Sequence, residues 1–251
     1  MSFAVRSFFP PLLRRFGLGL LFLSALGTAL DAQSNKEPIQ LRTFIPNQQQ
    51  QTPPTVAFLN PDQNLVPLTV TPGNLSDPLT VAGGGTLPIY LLTDLQGALA
   101  QKDGKLPKPM AELPLVQNCQ RYILVLQPGK EAADWSYSLV PDDAASFPGG
   151  GFLIFNLTSF PLSGQIGEQE VQLAPRKDSL FQPTVDAANP GVSVLFQTIQ
   201  GGQPRPFLRQ RWTLNPAMRN IIVFWDFGGG DIRTFIVSDN APPSLTASET
   251  P

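Results

Sequence analysis

The chain has 251 residues, with 17 Lys plus Arg, 19 Asp plus Glu and a formal net charge of −2. That balance excludes a generally basic nucleic-acid binder. The complete absence of histidine removes Ser-His-Asp and Cys-His catalysis, and every zinc site that needs an imidazole. Charged residues make up 14%, against about 25% in an average globular domain. Together with 27 prolines and 21 glycines, this points to short strands and many turns.

Arg6, Arg14 and Arg15 precede an apolar run from Phe16 to Leu30, with small residues at Ala29 and Ala32. This is the build of a secretory signal peptide over residues 1–32, cut after Ala32 or, alternatively, after Ala29. The run is shorter than the ~20 residues a spanning helix needs, which favours cleavage over an uncleaved anchor. Export to the periplasm, cell surface or medium is therefore expected, with no transmembrane segment in the mature chain. Cleavage removes three arginines and Asp31, leaving 14 basic and 18 acidic residues. The mature chain is long enough to bury one large or two small cores. The single Cys119 has no partner for an internal disulfide. An exported fold of this kind relies on its core, and Cys119 itself, beside the apolar run 122–126, is expected to be a buried, inert thiol.

Residues 33–54 are polar, with Gln48 to Gln51 in a row and Pro53-Pro54 at the end, and read as a flexible linker. From Thr55, strands are expected at Val56–Asn60, Asn64–Thr71, Pro78–Ala82 and Leu87–Leu92, separated by Pro-, Asn- and Gly-rich turns. Thr93–Ala100 suits a short helical turn capped by Thr93 or Asp94. Gln101–Leu113 reads as a Lys/Pro-rich loop. Strands resume at Arg121–Gln127 and Trp135–Val140.

A second unit opens at Gly149-Gly150-Gly151. Phe152–Leu157 is apolar throughout, as a strand buried on both faces must be. Leu162–Ile166 and Gln169–Leu173 flank Gly167-Glu168, a two-residue loop with glycine where a type II′ turn needs positive φ. Further strands are expected at Ser179–Pro183, Val192–Ile199, Phe207–Leu214, Asn220–Asp226 and Ile232–Ser238. Residues 241–251 read as a disordered tail. The expected fold is all-β: two antiparallel β-sandwich domains of Ig-like or Greek-key type in tandem, at 55–145 and 149–240. A faint likeness between Val56-Ala-Phe-Leu-Asn60 and Leu153-Ile-Phe-Asn156 suggests that the halves are duplicates.

Phe152-Leu-Ile-Phe-Asn-Leu-Thr158, Pro161-Leu162, Ile166-Gly167, Leu173-Ala-Pro175, Trp212 and Arg219-Asn-Ile-Ile-Val-Phe224 together form a pattern. In it the chain resembles a group of exported, strand-rich bacterial proteins of unknown function. The resemblance implies fold and export, and it transfers no catalytic residue.

No cofactor, metal site or catalytic set emerges from the residues. Asp142-Asp143 and Asp226/Asp231 are the carboxylate groupings, and both read as solvated turn residues rather than calcium ligands or a glycosidase pair. Arg205, Arg209, Arg211 and Arg219 lie close in sequence. Alternation along Phe207–Leu214 places Arg209 and Arg211 on one face with Phe207, and Leu208, Trp212 and Leu214 on the other. Such a face is either ordinary solvated surface or a stripe for an acidic glycan or headgroup. Trp135, Trp212 and Trp225 are core residues or, alternatively, an aromatic platform for sugars. Asn156-Leu-Thr158 fits a glycosylation acceptor pattern. The candidate ligand-binding residues are thus Arg209, Arg211, Trp212 and Trp225. The expected function is a non-enzymatic envelope or surface module that contacts a protein or cell-envelope component. The alternatives are a polysaccharide-binding module and a hydrolase using carboxylates alone.

Overall fold

A computed structural model describes residues 37–46, 52–68, 70, 72–94, 106–128, 134–184, 190–200, 202–228 and 230–242. The leader expected at 1–32, most of the helical turn at 93–100 and nearly all of the tail lie outside them.

Hydrogen bonding within these segments is almost wholly that of strands. The first half carries β1 (Ile39–Phe44), β2 (Val56–Leu59), β3 (Leu65–Pro67), β4 (Leu79–Val81), β5 (Thr86–Leu91), β6 (Ala111–Pro114), β7 (Arg121–Pro128) and β8 (Trp135–Pro141). The second carries β9 (Phe152–Asn156), β10 (Leu162–Ile166), β11 (Gln169–Leu173), β12 (Lys177–Phe181), β13 (Gly191–Gln200), β14 (Gln203–Thr213), β15 (Met218–Gly228) and β16 (Asp231–Asn240). They form four four-stranded sheets, with orders β4-β1-β7-β8 and β3-β2-β5-β6 in the first half and β12-β9-β15-β16 and β11-β10-β13-β14 in the second.

The halves share one topology. Each strand of the first has its counterpart eight places on, with the same neighbours. Among the described ladders, the parallel ones are β1 with β7 and β9 with β15, again equivalent. The sequence carries the same repeat at the parallel strand. Arg121-Tyr-Ile-Leu-Val-Leu126 in β7 corresponds to Arg219-Asn-Ile-Ile-Val-Phe224 in β15, and Val140-Pro-Asp142 to Val237-Ser-Asp239. The expected duplication is therefore present, but the matched strands differ. Val56–Leu59 is the counterpart of β10, and the counterpart of β9 is β1.

That relation explains two departures from the sequence reading. Residues 33–54 are not a linker throughout, because Ile39–Phe44 is a strand flanked by β4 and β7, with Ile39, Leu41 and Phe44 buried. The loop expected at 101–113 ends in β6, an edge strand paired with β5.

Each sandwich closes on its own core. Ile39, Leu41, Val56, Phe58, Leu87, Ile89, Tyr122, Leu124 and Leu126 fill the first, between its two sheets. Phe152, Ile154, Leu162, Val171, Val194, Phe196, Ile222 and Phe224 fill the second. The alternate residues of the same strands form a third core. Phe44, Ile123 and Val125 of the sheet β4-β1-β7-β8 pack against Leu153, Phe155, Ile221 and Val223 of the sheet β12-β9-β15-β16, with Phe147 among them. These two sheets are thus inner layers, whose central strands are buried on both faces, and β3-β2-β5-β6 and β11-β10-β13-β14 are outer layers. Continuous apolar runs in β7, β9 and β15 follow from this four-layer stack, since these central strands of the inner sheets are covered on both faces. At roughly 1.5–3 kcal/mol for each large apolar side chain buried, the third core binds the halves into one body.

Turn chemistry supports the stack. Gly167 adopts φ 62° while Glu168 keeps negative φ, as a type II′ hairpin requires. At Gly149 the constraint is space: a Cβ there would lie 1.8 Å from the Pro216 carbonyl oxygen. Asn156 is buried, so its acceptor pattern describes a clamp and not a surface site. Its Nδ2 donates to the carbonyls of Phe160 (3.0 Å), Leu173 (3.1 Å) and Ala174 (3.1 Å). Its Oδ1 accepts from the Thr158 amide (3.0 Å) and hydroxyl (2.7 Å).

Candidate functional site

The four residues singled out by sequence do not converge. Arg209 and Arg211 are exposed on β14, the edge strand of the second outer sheet. Trp212 packs on the opposite side, with its ring 5.2 Å from that of Phe152 and its Nε1 donating to Gln210 Oε1 at 3.0 Å. Trp225 lies on an inner sheet, against the third core. Trp135 packs at the margin of the first core. The three tryptophans thus belong to three clusters and form no common platform. Phe207 departs from simple alternation. The β13–β14 register shifts between Phe196 and Gln197, leaving Phe207 as the extra residue of a bulge. Phe207 therefore turns inward beside Leu208, with its ring 5.3 Å from Phe224, and not outward with the arginines.

Asp142 leaves the solvated turn assigned to it, and Arg219 parts from Arg209 and Arg211 to meet it in the interior. Arg219 is 0% exposed and lies where the two inner sheets meet. Its Nε and Nη2 donate to Asp239 Oδ2 at 3.1 and 2.8 Å, its Nη1 to the Phe147 carbonyl at 3.2 Å, and its Nη2 also to Asp142 Oδ1. The guanidinium stacks over the Phe147 ring at 4.6 Å. Arg42 grips Asp239 from the other half through two parallel bonds of 2.8 and 3.1 Å. Arg121 lies 3.7 Å from Asp142. A chain of alternating charges, Arg42–Asp239–Arg219–Asp142–Arg121, therefore crosses the junction. Apart from Arg42, which comes from β1, it is built from the Arg and Asp that the repeat places at equivalent ends of β7/β8 and β15/β16. Burial alone would raise the Asp239 carboxyl, but hydrogen bonds from Arg42 and Arg219 outweigh it and hold the group below the usual carboxylate range. With its charges paired and water excluded around Arg219, this constellation locks the halves and offers no face to a substrate. The repeated Arg-x-Ile-x-Val and Val-x-Asp are the sequence signals that mark it.

Asp143, next to Asp142, serves locally. It accepts from the amides of Ala145 (2.9 Å) and Ser146 (2.6 Å) and closes the turn before Phe147. Burial opposes its ionisation, and the hydrogen bonds from Ser146, Cys119 and Ala145 hold it below the usual range. Cys119 is half-buried, and burial pushes its thiol up. Among the described residues, no group of three or more His, Cys, Asp or Glu is placed to hold a metal ion, and no helix is long and apolar enough to cross a membrane.

Open space lies at the edges of the sandwiches. In the first, a crevice of about 390 Å³ separates the edge strands β6 and β8 and is lined by Leu91, Met110, Leu113, Trp135, Ser136 and Tyr137. The Tyr137 hydroxyl lies 3.7 Å from Met110 Sδ, and burial raises its pKa. The topologically equivalent opening of the second sandwich, between β14 and β16, holds about 350 Å³ and is lined by Thr198, Arg205, Phe207, Asp231, Ile232 and Arg233. One position in the repeat is thus apolar and aromatic in the first half and charged in the second. A third hollow, of about 230 Å³, lies against the outer sheet of the second half and includes Arg209.

No protein-family model matches the chain, and a search of curated proteins finds none similar to it. The class is accordingly defined by architecture alone: a duplicated eight-stranded sandwich, stacked in four layers through an ion-paired junction.

Proposed function

We propose that the protein is an exported, non-catalytic binding module of the cell envelope or cell surface, which holds a protein or envelope component in the crevice between β6 and β8. The observation that carries this reading is the lining of that crevice. Trp135, Tyr137, Met110, Leu91 and Leu113 surround a volume within the ~300–1,000 Å³ range of small-ligand sites. Half-buried aromatic rings at the mouth of a rigid scaffold are the residues that dominate binding energy in such sites. The leader sequence supports export. The test is capture of envelope proteins by the full chain, compared with a Trp135→Ala variant of unchanged circular dichroism. Loss of a specific captured partner in the variant supports the reading, and identical capture by both proteins overturns it.

A polysaccharide is the second reading, favoured by the juxtaposition of Trp135, Tyr137 and Ser136 in one crevice, since sugars present C–H faces to rings and hydroxyls to polar groups. Retention on neutral glucans that disappears with Trp135→Ala would select it. A hydrolase using carboxylates alone finds less support, because Asp142 is buried and committed to Arg219.

A further inference from the structure

We infer that the partner held at the crevice is an extended, uncharged polypeptide segment, which pairs main chain to main chain with the outer edge of β8 and turns alternate apolar side chains into the crevice. This rests on the protein-partner reading of that crevice and names the form in which the partner is taken.

Each sheet ends in two edge strands, and among the described ones β8 is set apart. β3 and β4 have three residues each, and β6 has four, with Glu112 and Pro114. β11, β12, β14 and β16 are longer, and each carries charge, as at Glu170, Lys177, Arg209 and Arg233. Shortness, proline and charge are the means by which edges refuse a further strand. β8, Trp-Ser-Tyr-Ser-Leu-Val-Pro, runs for seven residues without a charge. The repeat supplies the comparison. Val140 and Asp142 match Val237 and Asp239, so Ser136 stands where the second half has Arg233. The edge guarded in one half is left open in the other.

Register shows what that edge presents. The Asp142 amide donates to the Arg121 carbonyl at 2.7 Å, which fixes the alternation along the β7–β8 ladder. Counting back in twos, Val140, Ser138 and Ser136 exchange bonds with β7. The amides and carbonyls of Trp135, Tyr137 and Leu139 therefore point away from β7. The prolines agree, since Pro128 and Pro141 stand in the non-bonded pairs, opposite Trp135 and Tyr122. Among the described strands, none pairs with β8 on that side. The same three residues turn their side chains toward the first core, and Trp135 and Tyr137 line the crevice. A strand laid along β8 thus meets a row of main-chain groups and an apolar slot together, the two elements of strand addition.

Charge selects the occupant in the same way. Neither β8 nor the lining of the crevice carries an ionised side chain. An ionised residue turned inward would lose its water and meet no counter-charge. A glycan lacks the alternating amides and carbonyls that complete a ladder.

The experiment is fluorescence-anisotropy titration of the full chain with labelled peptides of about eight residues. They alternate threonine with leucine, valine or phenylalanine, between terminal lysines for solubility. Two further forms of each are methylated at one or the other alternate set of backbone nitrogens. A parent peptide should bind, methylation of one set should weaken it at least about tenfold, and methylation of the other set should not. Ser136→Arg, at an exposed position, should weaken the parent about tenfold with an unchanged thermal midpoint, and Trp135→Ala should weaken it too. No binding by any peptide, or equal binding of the parent and both methylated forms, would overturn the inference. If Trp135→Ala still loses its captured envelope protein in that case, the crevice reading stands and only the strand pairing falls. A concentration-dependent dimer of the chain alone, dissolved by Ser136→Arg, would also overturn it and give the edge to a second copy.

Discussion

Phe44 and Phe155 occupy equivalent positions in the two repeats and meet ring to ring across the junction, with centroids 6.3 Å apart. The equivalence is set by register. Phe44 pairs with Val125 of β7, Phe155 pairs with Val223 of β15, and those valines are the same residue of the repeated Arg-x-Ile-x-Val. Both rings are fully buried. Replacing either by alanine should cost about 3–5 kcal/mol. A double-mutant cycle read by urea unfolding should show coupling of about 0.5–1.5 kcal/mol. Additive effects would mean the rings do not sense each other.

Arg219 separates two carboxylates that otherwise face each other in a dry junction. Arg219→Met keeps much of the volume and removes the charge, leaving Asp142 without its buried partner. The expected loss is about 3–5 kcal/mol. Arg219→Lys should recover only part of it, because an ammonium cannot serve two carboxylates and the Phe147 carbonyl in a planar fork. Full recovery by lysine, measured by the same denaturant midpoint, would contradict the geometry.

Asp239 makes the junction sensitive to acid. Its folded pKa is depressed despite burial, through the hydrogen bonds from Arg42 and Arg219. A depressed pKa contributes stability in full above the unfolded value near ~3.9 and loses it as pH falls through the folded value. The melting temperature of the wild type should therefore fall steeply below about pH 4. Asp239→Asn should melt lower at pH 7 and show a shallower acid decline. Parallel acid profiles for the two proteins would show that Asp239 does not gain its pairing on folding.

The Asn156 clamp ties β9 to the loop after it and to the end of β11. Asn156→Ala strands the buried Leu173 carbonyl and two partly buried ones and should cost roughly 2–4 kcal/mol, with Thr158→Val costing less. Hydrogen exchange should show the amides of residues 157–160 losing protection in the alanine variant. Retained protection would place the loop's stability elsewhere.

Much of the fold is legible in the residues. Continuous apolar runs identify β7, β9 and β15 as strands buried on both faces, and Gly167-Glu168 announces its hairpin. The cover of the second face is not legible, because a buried run does not name its neighbour. Ile39–Phe44 hides behind Gln40, Arg42 and the glutamines after it, although its Ile39, Leu41, Thr43 alternation is a strand signal. Leu113 and Pro114 of β6 hide in a Lys/Pro-rich setting. Arg219 looks like its exposed neighbours Arg209 and Arg211, since a sequence shows charge but not the carboxylates that meet it from a distant repeat. The crevice between β6 and β8 is likewise invisible, because Met110 and Trp135 come together only when two sheets stack.

The central claim is that a duplicated sandwich has become one body through its junction, holding the edge crevices in fixed relation. Differential scanning calorimetry of the chain at neutral pH tests it most directly. A single transition with equal calorimetric and van't Hoff enthalpies is predicted, splitting into two in Arg219→Met combined with Phe155→Ala. Two separable transitions in the wild type would show that the halves fold independently and contradict the account.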